Sequence, residues 1–158
     1  MDDTNLLEVI ERQYKSLEKP DYSFVSKAIS SKPYSELVER LKALFEIEEI
    51  TDSNDDVSFR YLLSQSGKQW VVELSMVGLY AAILRLSEAG LSEPVTLDNA
   101  VSQEKEIYSL LSSYGFKVLD KLELEKPIKL NLCNTEPDNV CFYQALFSDT
   151  DILPWASQ

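Results

Sequence analysis

VSFRYLLSQSGKQWVVELSM, residues Val57–Met76, is the stretch whose reading decides the fold. Val57, Phe59, Tyr61 and Leu63 alternate with Ser58, Arg60, Leu62 and Ser64. Beyond Gly67, Trp70, Val72, Leu74 and Met76 alternate with Val71, Glu73 and Ser75. A period of two is the mark of a strand, and Ser66-Gly67 between the runs suits a two-residue hairpin turn. Such a turn fixes the register by counting. Leu63 faces Trp70, Tyr61 faces Val72, Phe59 faces Leu74 and Val57 faces Met76, while Arg60 falls across from Glu73. Apolar residues meet apolar partners and the one cation meets an anion. A slip of one residue sets Phe59 against Ser75 and turns the apolar set to the wrong face. The pattern therefore predicts a hairpin over 57–65 and 69–76.

Upstream, the periodicity is helical. Thr4 is placed to cap a helix carrying Leu6, Leu7, Ile10, Tyr14 and Leu17, which Pro20 ends. A polar, aromatic stretch with Tyr22, Phe24 and Ile29 has room for a short helical turn. Pro33 then opens a helix with Leu37, Val38, Leu41, Leu44 and Phe45 on one face. Downstream, two readings of Leu79 to Ala89 compete. Ala81, Ala82, Leu84 and Leu86 favour a helix stopped by Gly90, while Tyr80 and Ile83 suit a third strand. Ser102 caps a clearer helix with Ile107, Leu110, Leu111 and Tyr114, ended by Gly115. Ile128, Leu130 and Leu132 alternate with polar residues, 140–147 is rich in aromatic residues, and Asn134 to Asn139 is turn chemistry. These predict a second hairpin, 128–133 with 140–147. The expectation is one α+β domain over 1–158, with an antiparallel sheet packed against amphipathic helices. The tail 149–158, with Ile152, Leu153, Pro154 and Trp155, is expected to dock on the body.

Composition narrows the function. The chain has 158 residues, 44% hydrophobic and 27% charged, which is ordinary globular usage. It holds no histidine, so neither a Ser-His-Asp triad nor a His-ligated zinc or iron site is available. Its glycines are Gly67, Gly78, Gly90 and Gly115, so no phosphate loop or dinucleotide fingerprint can be written. The net charge of −12 argues against nucleic-acid binding through a basic surface. Each third of the chain carries about the same negative charge, but two stretches lack any Lys or Arg. One runs from Glu46 to Asp56 and the other follows Lys129. The Met-Asp-Asp opening has neither the basic start nor the apolar run of a signal peptide. With two cysteines read as cytosolic thiols, the expected location is the cytoplasm.

Few residues invite chemistry. If residues 134–139 form the loop of the expected second hairpin, Cys133 and Cys141 point to opposite faces, which forbids a bridge, whereas a longer loop could pair them. Asp52-Ser-Asn54-Asp-Asp56 opens like a calcium loop, but Val57 stands where the sharp-turn glycine belongs and Leu63 where the bidentate Glu belongs. Asp149 and Asp151 are two acids, too few to argue for a metal. Glu73, mid-strand, is the one carboxylate placed for a histidine-free hydrolase, and Arg60 opposite it offers a structural reason for its presence. No catalytic residue, metal ligand or cofactor site is assigned. A binding role through the acidic stretches is expected instead: Glu46, Glu48, Glu49, Asp52, Asp55 and Asp56, or Asp149 and Asp151 with Trp155 as an aromatic anchor. Their charge suits a basic protein partner.

WVVELSMVG (70–78) and LFSDTDILPW (146–155) resemble the core strand and closing segment of bacterial polymorphic-toxin immunity proteins. That resemblance implies a single-domain, acidic, cytoplasmic α+β protein that occludes a secreted toxin without catalysis, and it assigns no functional residue. Type III secretion chaperones are similar in size, acidity and mixed order. Their helix–three-strand–helix arrangement requires 79–86 to be a strand and implies an acidic chaperone or adaptor for a secreted effector. A carboxylate-dependent hydrolase is the third class.

Overall fold

The computed structural model describes residues 3–156. Met1 and Asp2 of the acidic opening, and Ser157 and Gln158 of the expected tail, lie outside the described residues. The fold is α+β. Three helices, α1 (Asp3–Tyr14), α2 (Ser23–Ser31) and α3 (Ser35–Lys42), precede the sheet. Five strands follow as an antiparallel meander in chain order: β1 (Glu46–Glu49), β2 (Ser58–Gln65), β3 (Lys68–Ser75), β4 (Tyr80–Ser87) and β5 (Gly90–Pro94). The helix α4 (Ser102–Ser113) leads into β6 (Lys117–Val118), which pairs parallel to β4 at Tyr80 and Ala81. Two short helices, α5 (Lys121–Leu124) and α6 (Phe142–Leu146), close the chain.

The hairpin forms in the register counted from the sequence. Leu63 pairs with Trp70, Tyr61 with Val72, Phe59 with Leu74 and Arg60 with Glu73. Beyond the ladder, Met76 N donates to Val57 O at 2.9 Å. The turn residues Ser66 and Gly67 have φ of 53° and 77°. Two positive φ values make the primed turn whose twist matches that of the flanking strands.

The sheet is covered on both faces. One face carries Phe59, Tyr61, Leu63, Trp70 and Leu74, all buried, toward α3 and α4. Tyr34 packs edge-on against both Phe59 and Phe116, and Phe45 packs edge-on against Trp70. The opposite face carries Ser58, Glu73 and Ser75, and α6 lies over it. The helix α1 lines up Leu6, Ile10 and Tyr14 at the spacing of a buried stripe, each 0–1% exposed, and the Tyr14 hydroxyl donates to Ala145 O at 2.7 Å. Thr4 lies within α1, which is already under way at Asp3, so the expected capping position is passed. In the closing segment Trp155 is buried and packs edge-on against Tyr143.

One open reading is decided and one expectation is corrected. Of the two competing readings of Leu79 to Ala89 the strand holds, with residues 80–87 forming β4. Ala81, Ala82, Ile83 and Leu84 are all 0% exposed, because β4 is flanked by β3 and β5 and sandwiched between helical layers. A strand buried on both faces reads as a continuous apolar run, and helix-favouring alanines yield to that context. The second hairpin does not form. Residues 128–133 belong to no helix or strand, although Ile128 and Leu130 are buried as the alternation implies. What survives is a single bridge, Pro127 with Cys141, and one bond from Ile128 N to Val140 O. Residues 142–146 become α6 because Gln144 Oε1 accepts from Cys141 N at 2.9 Å, satisfying a backbone donor at the helix start. Every residue of 142–147 is buried, which a two-sided strand without neighbours cannot achieve while satisfying its backbone.

Leu74 is fully buried between β2 and β4, whereas Leu122 is 79% exposed. Urea unfolding of Leu74→Ala is expected to show a loss of about 2–5 kcal/mol. Leu122→Ala is expected to stay within about 0.5 kcal/mol of wild type.

Candidate functional site

The acidic residues divide into those the fold consumes and those it leaves facing water. Glu73 belongs to the first group. It is 0% exposed. Arg60 Nε donates to its Oε2 at 2.8 Å, and the Tyr143 hydroxyl lies 3.0 Å from both of its oxygens. Burial pushes its carboxyl up to about 7, and the Arg60 charge and Tyr143 hydrogen bond only partly oppose this. A carboxylate sealed beneath α6 meets no substrate, so Glu73 is a structural group. Glu104, 1% exposed, is consumed likewise. It accepts from Trp70 Nε1 at 2.9 Å, from Arg85 Nε at 2.6 Å and from Val101 N at 2.9 Å. Burial favours its neutral form, but the Arg85 hydrogen bonds outweigh this and lower its pKa.

Three of the sequence-predicted binding residues are also turned inward. Asp56 is 3% exposed and accepts from Ser148 Oγ at 2.7 Å and Asp52 N at 2.8 Å. Burial raises its pKa despite these bonds. Asp149 is 4% exposed and gathers the loop before it, accepting from Cys133 N, Asn134 N and the Thr135 hydroxyl at 3.0, 2.9 and 2.6 Å. Trp155, 8% exposed, donates from Nε1 to Glu125 Oε2 at 2.7 Å. Asp151 is exposed and accepts from Glu136 N at 2.8 Å. The two stretches without basic residues are brought together. Asp149 N donates to Asp55 O at 2.8 Å, and Asn134 Nδ2 donates to Asp55 Oδ1 at 3.0 Å. The cysteines stand apart in environment, Cys133 exposed and Cys141 buried, and both are free thiols.

The outward-facing acids are Glu46, Glu48 and Glu49 of β1, exposed Asp52 and half-buried Asp55. Among the described residues none of these five forms an ion pair with a Lys or Arg. The strand β1 is the end member of the meander, paired with β2 on one side only. Beside it lies a cavity of about 470 Å³ beneath α2 and α3, walled by Ile29, Tyr34, Val38, Ile47, Phe59 and Tyr61. Glu49 stands at this cavity too. Burial first, then the Glu49 charge, pushes the Tyr61 hydroxyl up to about 12. The sequence reading had the acids but missed both the strand and the cavity. Its available signal was the single apolar Ile47 set between Glu46 and Glu48. Glutamate is a poor strand former, so a four-residue strand carrying three of them reads as a loop.

No family model, no curated protein and no solved structure matches the chain.

The state of Glu73 predicts a pH dependence of stability. Its folded pKa lies above its ordinary 4.5, at about 7, so between those values the native state holds a proton that the unfolded chain has released. The stabilisation is therefore present below 4.5 and lost as pH rises toward 7. Asp56, also raised by burial, adds a change of the same sign. Urea unfolding at several pH values across this window is expected to show wild-type stability falling relative to Glu73→Gln as pH rises. A constant difference between the two proteins would contradict the assignment.

Proposed function

We propose that the protein works by binding and occluding a basic protein partner, in the manner of an immunity protein that neutralises a secreted bacterial toxin. One observation carries this reading. Glu46, Glu48, Glu49, Asp52 and Asp55 follow one another along an edge strand and the loop after it, and none has an internal cation. Acids that the fold needs are paired or hydrogen-bonded, as Glu73, Glu104, Asp56 and Asp149 are. These five have no internal cation, and the three β1 glutamates accept no side-chain hydrogen bond among the described residues, so they are available to an outside cation. The overall charge of −12 supports the same reading, because a negative field speeds encounter with a positive partner. The proposed surface is this edge and loop, with exposed Asp151 a further acid. Asp56 and Asp149 support the loop from within, the Asp56 carboxylate accepting from Asp52 N and the Asp149 amide donating to Asp55 O, while Trp155 is buried elsewhere against Glu125.

A second reading, an acidic chaperone or adaptor for a secreted effector, is supported by β4, since residues 80–87 supply the strand that such an arrangement requires. The two readings differ in what they hold. An immunity protein covers a folded domain and abolishes its activity. A chaperone holds a segment that stays protease-sensitive elsewhere along its length.

The triple variant E46K/E48K/E49K tests the shared core of both readings. Immobilised wild-type protein in its native lysate is expected to retain a basic protein that raised salt releases, since exposed charges are screened beyond about 8 Å at physiological ionic strength. The triple variant is expected to lose at least tenfold of that retention. Equal retention by the variant, or recovery of a bound metabolite and no protein, would overturn the proposal.

A further inference from the structure

We infer that the basic partner presents an extended segment that adds as a new strand to the outer edge of β1, with basic side chains beside Glu46 and Glu48 and apolar side chains in the cavity beneath α2 and α3. This inference rests on the function proposed above and specifies how the partner is held.

The hydrogen-bond pattern of β1 supplies the first argument. Ile50 N donates to Arg60 O at 2.8 Å, immediately beyond the Glu49–Tyr61 pair. In an antiparallel ladder the hydrogen-bonded pairs alternate. Counting back, Glu48 with Leu62 and Glu46 with Ser64 are the bonded pairs. Ile47 and Glu49 therefore turn their N–H and C=O groups away from β2. Among the described residues no strand lies on that side and no backbone group bonds to them. An unpaired row of this kind is a template for another strand.

The two faces of β1 differ, and a strand reads both. Its side chains alternate, so Glu46 and Glu48 share one face while Ile47 and Glu49 share the other. Ile47 and Glu49 line the cavity, whose walls include residues of β1 and β2 but none of β3, which places it at the β1 side of the sheet. At about 470 Å³ it falls within the usual range of binding pockets, about 300–1,000 Å³. Of the lysines around it, Lys42 is held by Glu39 at 3.3 Å. A complementary segment therefore alternates, basic toward Glu46 and Glu48, apolar toward Ile47, Tyr34 and Phe59.

Charge also decides the occupant. A second copy of β1 laid along this edge would set glutamates across from glutamates, and like charges directly opposite are destabilising. The edge rejects its own kind and accepts a basic strand.

Two synthetic peptides of equal composition test the inference on the full chain. One alternates Lys with Val and Leu, and the other groups its lysines in a block. The alternating peptide is expected to bind at least tenfold tighter and to slow hydrogen exchange at the Ile47 and Glu49 amides. Glu49→Pro removes an outward N–H while keeping every β1–β2 bond, and Glu49→Gln removes the charge alone. The proline variant is expected to bind the alternating peptide at least tenfold more weakly than the glutamine variant. Equal binding of the two peptides, unchanged exchange at those amides, or equal affinity of the two variants would overturn strand addition. The exchange measurement on wild type needs no variant, so a misfolded proline protein does not leave the question open. Loss of the partner in E46K/E48K/E49K with Glu49→Pro matching Glu49→Gln would sink strand addition alone. Retention of the partner by the triple variant would sink the acidic-surface function itself.

Discussion

A carboxylate with no route to water sets the terms for most of this structure. Glu73 sits in the middle of β3 with the sheet on both sides and α6 above it. Such a group costs several kcal/mol to desolvate and tolerates few arrangements. Arg60 reaches it only from the adjacent position on β2, which holds the register. Tyr143 reaches it only if residues 142–146 are helical and lie at this height on the sheet. The neighbouring Ser75 and Ser58 hydroxyls donate to Leu146 O and Phe147 O, and Tyr14 donates to Ala145 O. The carbonyls at the end of α6, which its own turns leave unpaired, are thus supplied by the sheet and by α1. Arg60 extends the cluster to Asp56, 3.9 Å away, and Asp56 to Ser148. One buried charge ties together the hairpin, the loop before it and the last layer of the chain.

This explains what could be read from the sequence and what could not. The β2–β3 hairpin was legible because its information is local: alternation, a turn pair with the right conformational freedom, and one complementary charge pair. The stripes of α1, α3 and α4 were legible for the same reason. The strand β4 was not, because its decisive fact, burial on both faces, depends on layers supplied by distant parts of the chain. Residues 140–147 misled because Val140 and the aromatic residues suit a strand. The contrary signal was Gln144, three residues after Cys141, whose side chain turns back to the Cys141 amide.

The candidate site was half legible. Composition located the acidic stretches, yet charge alone does not separate Asp52 from Asp56 or Asp151 from Asp149. The difference is set by neighbours. Asp56 and Asp149 hold loops with three or fewer donors each, drawn from across the chain, while Asp52 and the β1 glutamates face outward. Removal of the inward acids would loosen the loops, whereas removal of the β1 glutamates would change the field without breaking an internal ion pair. The site is therefore an exposed rim supported by a buried acidic frame, and similar residue types perform both tasks.

The order in which the layers appear along the chain has a consequence for its synthesis. Both strands of the hairpin are complete at Ser75, but the residues that cover Glu73 and its face of the sheet begin only at Phe142. At about 5–20 residues per second this interval lasts roughly 3–13 s. During that time the nascent hairpin carries an uncovered apolar and acidic face, and α1 lacks the carbonyl its Tyr14 hydroxyl will bind. The sheet can pair early, but its closure waits until Phe142 and the residues that follow it have left the ribosome.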